Sequence, residues 1–295
     1  MELPRENLLV MNKVKFIAEV CSNHNGNLKR CFKFVDVAKN LGCYAVKFQL
    51  FTISNLYSSN AKKLYKKALK KKKRELPRKF IPLISNYCKK KKIKFCCTPF
   101  DINSAKFLEK YVDFFKIASY ELIWSDLLKA CAKTQKTVVL STGMANFREV
   151  NKAVNLLKKN NCKKIELLHC VSNYPANISS CNLKSIDFMK FFFKCDVGWS
   201  DHTVNPLIIY SAIHNHKAKL IEFHLDLDGK GWEYQDGDHC WLPNQIKNVI
   251  EFLKKEKKVE GNFSKNFSKA EEKERMLRSD PEDGLRPLKK VRKNL

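Results

Sequence analysis

Two lysines stand inside short apolar runs, Lys47 in Tyr44-Ala45-Val46-Lys47-Phe48-Gln49-Leu50 and Lys116 in Phe114-Phe115-Lys116-Ile117. An ammonium group in that setting is costly unless it meets an anion or a carbonyl. Two chemistries would use it: a Schiff base with a carbonyl substrate, or a charge-assisted grip on phosphate. The neighbouring hydroxyls favour phosphate. Ser119, Ser141, Ser172 or Asn173, and Ser200 end or follow other apolar runs. Hydroxyls with a pair of cations suit a multiply charged oxyanion. The plain alternative is that either lysine snorkels to water past its apolar neighbours.

A second group is imidazole-based. His202 lies in Ser200-Asp201-His202-Thr203 and His224 in Ile221-Glu222-Phe223-His224. If their runs are adjacent strands, about 5 Å apart, both rings reach one ion. Two His with waters and a substrate oxygen suit a divalent transition metal such as Mn²⁺, with Mg²⁺ or Co²⁺ as alternatives. His24 and His239 are further candidates. The competing reading is one structural hydrogen bond and one core histidine. Glu19 offers a general acid/base or an acceptor for sugar hydroxyls. Asp238 could bind hydroxyls or serve in a salt bridge.

These residues need a frame that brings distant segments together. Strand-length runs rich in Val, Ile or Phe begin at Lys15-Phe16-Ile17-Ala18-Glu19-Val20-Cys21 and at Tyr44 to Leu50. They recur at Lys94 to Thr98, Phe114 to Ser119, Thr137 to Ser141, Ile165 to Val171, Asp196 to Ser200 and Leu220 to Leu225. Between them the apolar spacing is helical, as in Phe32, Val35, Val37, Ala38 and Leu41, or Val150, Ala153, Val154, Leu156 and Leu157. Eight such units in roughly 260 residues predict an α/β fold, a closed (β/α)₈ TIM barrel. An open doubly wound sheet is the alternative, weakened by the lack of a GxGxxG turn after the first strand. The barrel reading requires polar residues at the C-terminal strand ends. Glu19, Lys47, Gln49, Thr98, Lys116, Ser119, Ser141, Ser200, Glu222 and His224 are placed that way.

Composition narrows the function classes. The chain has 295 residues and a formal net charge of +27, yet only nine of its 57 basic residues are arginine. Readers of phosphates and bases lean more on the bidentate Arg fork, so specific nucleic-acid binding is not expected. The lysine-rich stretch from Lys62 to Lys79 reads as a solvated helix face and loop, or as a funnel for an anionic substrate. The twelve cysteines fall in apolar runs without zinc-type CxxC pairs, so buried free thiols in a reducing cytoplasm are expected. Residues Met1 to Lys15 lack a signal-type apolar core, and no run of about eighteen apolar residues suggests a membrane span. The division expected is a barrel over residues 1–256 and a polar, Arg-bearing extension over 257–295, with no second domain.

The strings AEVCSNHNG (18–26), VKFQLF (46–51), TPFD (98–101), FKIAS (115–119), LSTGMA (140–145), LLHCVSNYPA (167–176), GWSDHT (198–203) and IEFHLDLDGKG (221–231) resemble the sialic acid synthase family. The match runs in order over residues 15–245. The resemblance implies condensation of phosphoenolpyruvate with an N-acetylmannosamine-type aldose, giving a nonulosonic acid and phosphate. It implies metal ligands at His202 and His224. Phosphoenolpyruvate contacts would come from Lys47, Thr98, Lys116, Ser119, Ser141, Ser200 and one of Ser172 and Asn173. Glu19, Gln49, Tyr174 and Asp238 match sugar-side or acid/base positions. It also implies a homodimer. Members usually carry a C-terminal antifreeze-like domain that offers an Arg to the sugar; here the tail, through Arg278 or Arg286, is expected to take part of that role. The rival readings are a related phosphoenolpyruvate-dependent 3-deoxy-sugar-acid synthase with another aldose, an inactive barrel used for binding, and a non-catalytic polyanion-binding barrel.

Overall fold

A computed structural model describes residues 14–259 and 264–292. Residues 1–13, read above for a signal core, lie outside them, as do 260–263 and 293–295 of the polar tail. The chain separates into two compact units, Met1–Lys254 and Lys255–Leu295.

In the first unit eight parallel strands alternate with helices: β1 Lys15–Glu19, β2 Ala45–Leu50, β3 Lys94–Pro99, β4 Phe114–Ile117, β5 Thr137–Ser141, β6 Lys164–His169, β7 Asp196–Asp201 and β8 Leu220–Leu225. Each pairs with the next, and β1 pairs with β8, so the sheet closes on itself. This is the (β/α)₈ barrel. A two-residue strand, β9 (Cys240–Trp241), adds to β8 after the last barrel turn. β1 stops two residues short of the apolar run that predicts it, because Cys21 turns into the left-handed region at φ 45°. Among the described residues no helix is long and apolar enough to cross a membrane.

Side chains alternate across each strand, and this sorts the interior into layers. The lower layer is apolar: Ile17, Ala45, Cys96, Phe114, Val139, Leu168 and Leu220 form one buried cluster. Two residues further along each strand, the same inward face carries Glu19, Lys47, Thr98, Lys116, Ser141 and Glu222. The register levels them. Glu19 sits opposite both Lys47 and His224, Gln49 opposite Thr98, and Ser200 opposite Glu222. A one-residue slip would turn this whole polar layer into the apolar shell outside the barrel.

That shell holds the larger core. The helix Leu28–Leu41 buries Cys31, Phe34, Val35, Ala38 and Leu41, with Phe32 and Val37 at its margin. The helix Phe147–Lys159 buries Val150, Ala153, Val154 and Leu157. Truncating a side chain such as Leu157 to Ala would cost about 2–5 kcal/mol. Start signals are local. Asn27 accepts from Arg30 N, Asp101 from Ser104 N, and Asn146 forms a capping box with Glu149. All twelve cysteines are unpaired; Cys21, Cys162 and Cys195 are half-buried and the rest buried.

The second unit is short and polar. Ser268 and Glu271 form a capping box ahead of the helix Glu272–Met276, and Arg292 pairs with Asp283. Arg278 and Arg286 are engaged within the unit, Arg278 Nε on Arg275 O at 3.3 Å and Arg286 Nε on Ser279 Oγ at 3.4 Å.

Candidate active site

Both strand lysines are buried, Lys47 at 3% and Lys116 at 2% exposure, so neither snorkels. They share a counter-ion that the spacing argument left out of the site. Lys47 Nζ donates to Glu222 Oε1 at 2.8 Å and pairs with Glu19 Oε2. Lys116 Nζ lies 3.7 Å from the same Glu222 oxygen and donates to Ile117 O at 3.1 Å. Ser200 Oγ reaches Glu222 Oε1 at 3.3 Å. Burial alone would raise the Glu222 carboxyl; Lys116 and Lys47 outweigh it and hold it down to about 2. Burial lowers the Lys47 ammonium from its ordinary value, with Glu222 opposing and Lys116 adding. Lys116 is the less committed cation. Glu222 Oε2 and Thr98 Oγ1 are buried and have no hydrogen-bond partner.

The hydroxyl side is assembled by loops after β4, β5 and β6. Gly143 N donates to Ser119 Oγ at 3.0 Å. A Cβ at Gly143 would fall 2.3 Å from Ser172 Oγ, 2.9 Å from Ser119 Oγ and 3.0 Å from Cys170 Sγ. Only glycine lets these three loops converge here, which is why the Ser-Thr-Gly-Met run carries one. Ser172 Oγ is buried without a partner. Asn173 is exposed and its Oδ1 accepts from Tyr174 N at 3.1 Å. Of the two candidates on the β6 loop, Ser172 therefore joins the hydroxyl group. Ser141 is buried at the end of β5, and Gln49 is half-buried near the end of β2.

The imidazoles do meet. The His202 and His224 ring centroids are 5.2 Å apart, His224 and His239 4.9 Å, and His202 and His239 6.3 Å. His202 Nδ1 contacts Val171 O at 2.7 Å, and a carbonyl only accepts, so Nδ1 carries the proton. Burial, then His224, push the His202 pKa down to about 3, so the ring is neutral and Nε2 has its lone pair. His224 Nδ1 bonds Glu233 Oε2 at 2.9 Å. Such second-nitrogen partners fix metal-ligating histidines. The donor set thus fits a divalent cation at His202 and His224. The Tyr174 ring lies over this group, with centroids 4.4 Å from His202 and 5.0 Å from His239. His24 is not part of it. Its Nδ1 accepts from Gly26 N at 2.9 Å, and burial and Arg30 push its pKa down to about 4.

Asp238 is exposed at the rim. Beside the strand ends of β2 and β3 a cavity of about 590 Å³ is lined by Phe51, Thr52, Asn55, Lys73, Arg78 and Asp101, among others. The lysines of the 62–79 stretch are exposed, as a solvated helix face requires, and basic residues of it also meet the loop after β8. Lys71 Nζ reaches Asp236 Oδ2 at 3.0 Å, Arg74 pairs with the same carboxylate, and Lys73 lies 5.4 Å from the Trp232 ring centroid. Segment 62–79 is thereby tied to the loop after β8.

Four residues at this mouth escaped the sequence reading as site members: Glu222, Glu121, Glu233 and Cys240. For Glu222 a signal existed. Two buried lysines demand a buried anion, and Glu222 is two residues before His224 on the same inward face. Glu121, its Oε2 unpartnered, is raised by burial to about 7 against the pull of Lys116.

A closed barrel whose C-terminal mouth holds buried cations, converging hydroxyls and clustered imidazoles is the frame of a TIM-barrel enzyme. A model described as the NeuB family matches residues 34–265, and the chain belongs to that family. It is 37% identical over 276 residues to an N,N'-diacetyllegionaminic acid synthase of Campylobacter jejuni, covering 89% of this chain and 82% of that protein. A pseudaminic acid synthase of Helicobacter pylori is 29% identical, over 81% of this chain and 73% of its own length. The crystal structure of an N-acetylneuraminic acid (sialic acid) synthetase from Leptospira borgpetersenii superposes with a TM-score of 0.77 at 29% identity, covering 90% of each chain.

Proposed function

We propose that this protein condenses phosphoenolpyruvate with an N-acetylmannosamine-type aldose to give a nonulosonic acid and inorganic phosphate. The observation that carries this reading is the pair of buried lysines at the barrel mouth, beside Glu19, Glu222 and converging hydroxyls. Lys47 and Lys116 hold the phosphate and carboxylate charges of phosphoenolpyruvate. Thr98, Ser119, Ser141, Ser172 and Ser200 donate to its oxygens, and these donors cost no reorganisation because the strands and loops already fix them. The sugar lies toward Gln49, Tyr174 and Asp238, with the cavity over β2 and β3 to receive its chain.

The C2=C3 π pair of phosphoenolpyruvate forms the bond from C3 to the aldehyde carbon, the aldehyde π pair moves onto its oxygen, and that oxygen takes the proton Glu19 relays from the water that adds at C2. Water adds at C2, and Glu19 accepts the proton it loses. The tetrahedral intermediate expels phosphate by C–O cleavage while its C2 hydroxyl proton passes to the departing phosphate, leaving the C2 carbonyl of the product. A divalent cation held by His202 and His224, Mn²⁺ in the first instance, supplies Lewis-acid polarisation of the aldehyde when bound. No Schiff base is needed, which suits two lysines already held by carboxylates.

The experiment is phosphate release from phosphoenolpyruvate against a panel of N-acylated aldoses, with Mn²⁺ and with chelator. Release that requires both an aldose and a cation is the expected result. No release with any aldose would overturn the reading.

A further inference from the structure

We propose that Asn23, seconded by Asn25 and Arg30, is the positioning residue of the cation site. From the loop after β1 it holds the loop after β8 so that Glu233 meets His224 Nδ1 and Nε2 is left for the ion. The inference rests on the reading above that His224 is a metal ligand. It leaves that donor set as it stands and concerns what fixes it.

His224 is carried by a strand, but its partner Glu233 is not. Glu233 sits in the first turn of the short helix Trp232–Asp236, within the loop between β8 and β9. The N–H groups of such a turn need acceptors, and the residue before this helix, Gly231, has no side chain to offer. The acceptors come from the other end of the chain. Asn23 Oδ1 accepts from Glu233 N at 2.8 Å and Tyr234 N at 3.0 Å, and Asn25 Oδ1 accepts from Trp232 N at 3.0 Å. The amide nitrogens of the same side chains donate to the loop as well, Asn23 Nδ2 to Leu225 O at 3.0 Å and Asn25 Nδ2 to Lys230 O at 2.8 Å. Each asparagine thus spans the loop with an acceptor and a donor on one planar amide.

The clamp is itself held. Asn23 and Asp226 are both 0% exposed. Arg30 Nε donates to Asn23 O at 2.6 Å, and its Nη2 reaches Asp226 Oδ1 at 2.6 Å and Asp228 Oδ1 at 2.8 Å. Asp226 Oδ2 in turn accepts from Gly231 N at 3.2 Å. A Cβ at Gly231 would fall 2.3 Å from Asn23 Oδ1 and 2.4 Å from Asp226 Oδ1, so only glycine lets these side chains close on the start of the helix. The result is read at one atom pair, Glu233 Oε2 at 2.9 Å from His224 Nδ1. With Nδ1 donating to that carboxylate the ring orientation is fixed and Nε2 keeps its lone pair. The Asn-His-Asn-Gly run therefore serves the cation site through its asparagines, while His24 bonds locally to Gly26.

The test is Mn²⁺ binding to the metal-free full chain, read by the electron paramagnetic resonance signal of free Mn²⁺, with cooperative unfolding as the control for folding. Glu233→Ala and Asn23→Ala are each expected to weaken binding about 10–100-fold, the loss typical of an outer partner of a ligating histidine. The double variant should bind no more weakly than Glu233→Ala alone, because Asn23 acts through Glu233; a merely structural asparagine would add its own loss. Metal-free Asn23→Ala should bind phosphoenolpyruvate as wild type does, and a parallel loss there would mark a general collapse of the mouth and overturn the inference. Asn25→Ala spares the buried residues and should weaken Mn²⁺ binding by a smaller factor. If Asn23→Ala does not fold, wild-type affinity in Asn25→Ala overturns the inference. Wild-type affinity in Asn23→Ala, or losses that add in the double variant, overturn it while the metal reading stands, since His224→Ala would still release the ion. If wild type takes up no cation, the metal reading fails and this inference with it.

Discussion

At the base of the barrel Glu166 is 2% exposed, and Lys15 and Lys164 each reach its Oε1 at 2.7 Å from partly exposed positions. At the mouth the arrangement is inverted: the lysines are buried, and they share carboxylates that are buried too. At the base both lysines meet one oxygen of Glu166, whereas Thr98 Oγ1, Glu121 Oε2, Ser172 Oγ, Glu222 Oε2 and both His239 nitrogens are buried at the mouth without a hydrogen-bond partner. Charge at the base is closed off by flexible side chains that water can relieve. Charge at the mouth is fixed on strands and partly unsatisfied, the condition under which a bound oxyanion gains most.

Variants at the mouth should dominate. Lys116→Met is expected to lower kcat/KM for phosphoenolpyruvate by about 10²–10³, the loss typical of one preorganised charge-stabilising donor; steady-state kinetics at saturating aldose would show it. Less than a threefold change would place the anion elsewhere.

Glu222→Gln should act on stability as well, because it leaves two buried lysines short of a carboxylate, at a cost of about 3–5 kcal/mol. The sign of its pH dependence follows from a depressed carboxyl. The unfolded value is about 4.3, the folded one about 2. Stabilisation from this group is therefore complete above the unfolded value and lost as pH falls toward 2. Denaturant melts across that acid range should show a shallower decline in Glu222→Gln than in wild type.

Glu121 has the opposite sign. Its folded value is raised to about 7, so it costs stability as pH rises from about 4.3 through 7. Glu121→Gln should be relatively more stable than wild type at pH 8 than at pH 4.5, by a margin that urea melts resolve. At the base, Glu166→Gln should leave kcat/KM within about twofold and cost about 1–2 kcal/mol of stability, since its partners can turn to water. A large loss of activity in Glu166→Gln would erase the distinction between the two ends.

The frame was legible because period-two strands expose their inward face to simple reading. Thr137–Ser141 and Leu220–Leu225 coincide with their apolar runs, and Lys47 and Lys116 stand out as the wrong residue type in them. The loop after β8 was not legible. Glu233 and Cys240 gain their neighbours from Asn23, more than two hundred residues earlier in the chain, and β9 is too short to carry a periodic signal. Segment 62–79 was legible as a solvated face, since its lysines are exposed; what the sequence hid is that Lys71 and Arg74 meet Asp236, more than 160 residues further along the chain.

In the proposed reaction the C–O bond of phosphoenolpyruvate breaks after C3 has joined the aldose. The most direct measurement follows ¹⁸O placed in the bridging oxygen of phosphoenolpyruvate, with an N-acetylmannosamine-type aldose and Mn²⁺ present. Inorganic phosphate is expected to leave carrying the label, one equivalent per nonulosonic acid formed. Release of unlabelled phosphate, or release without aldose, would contradict it.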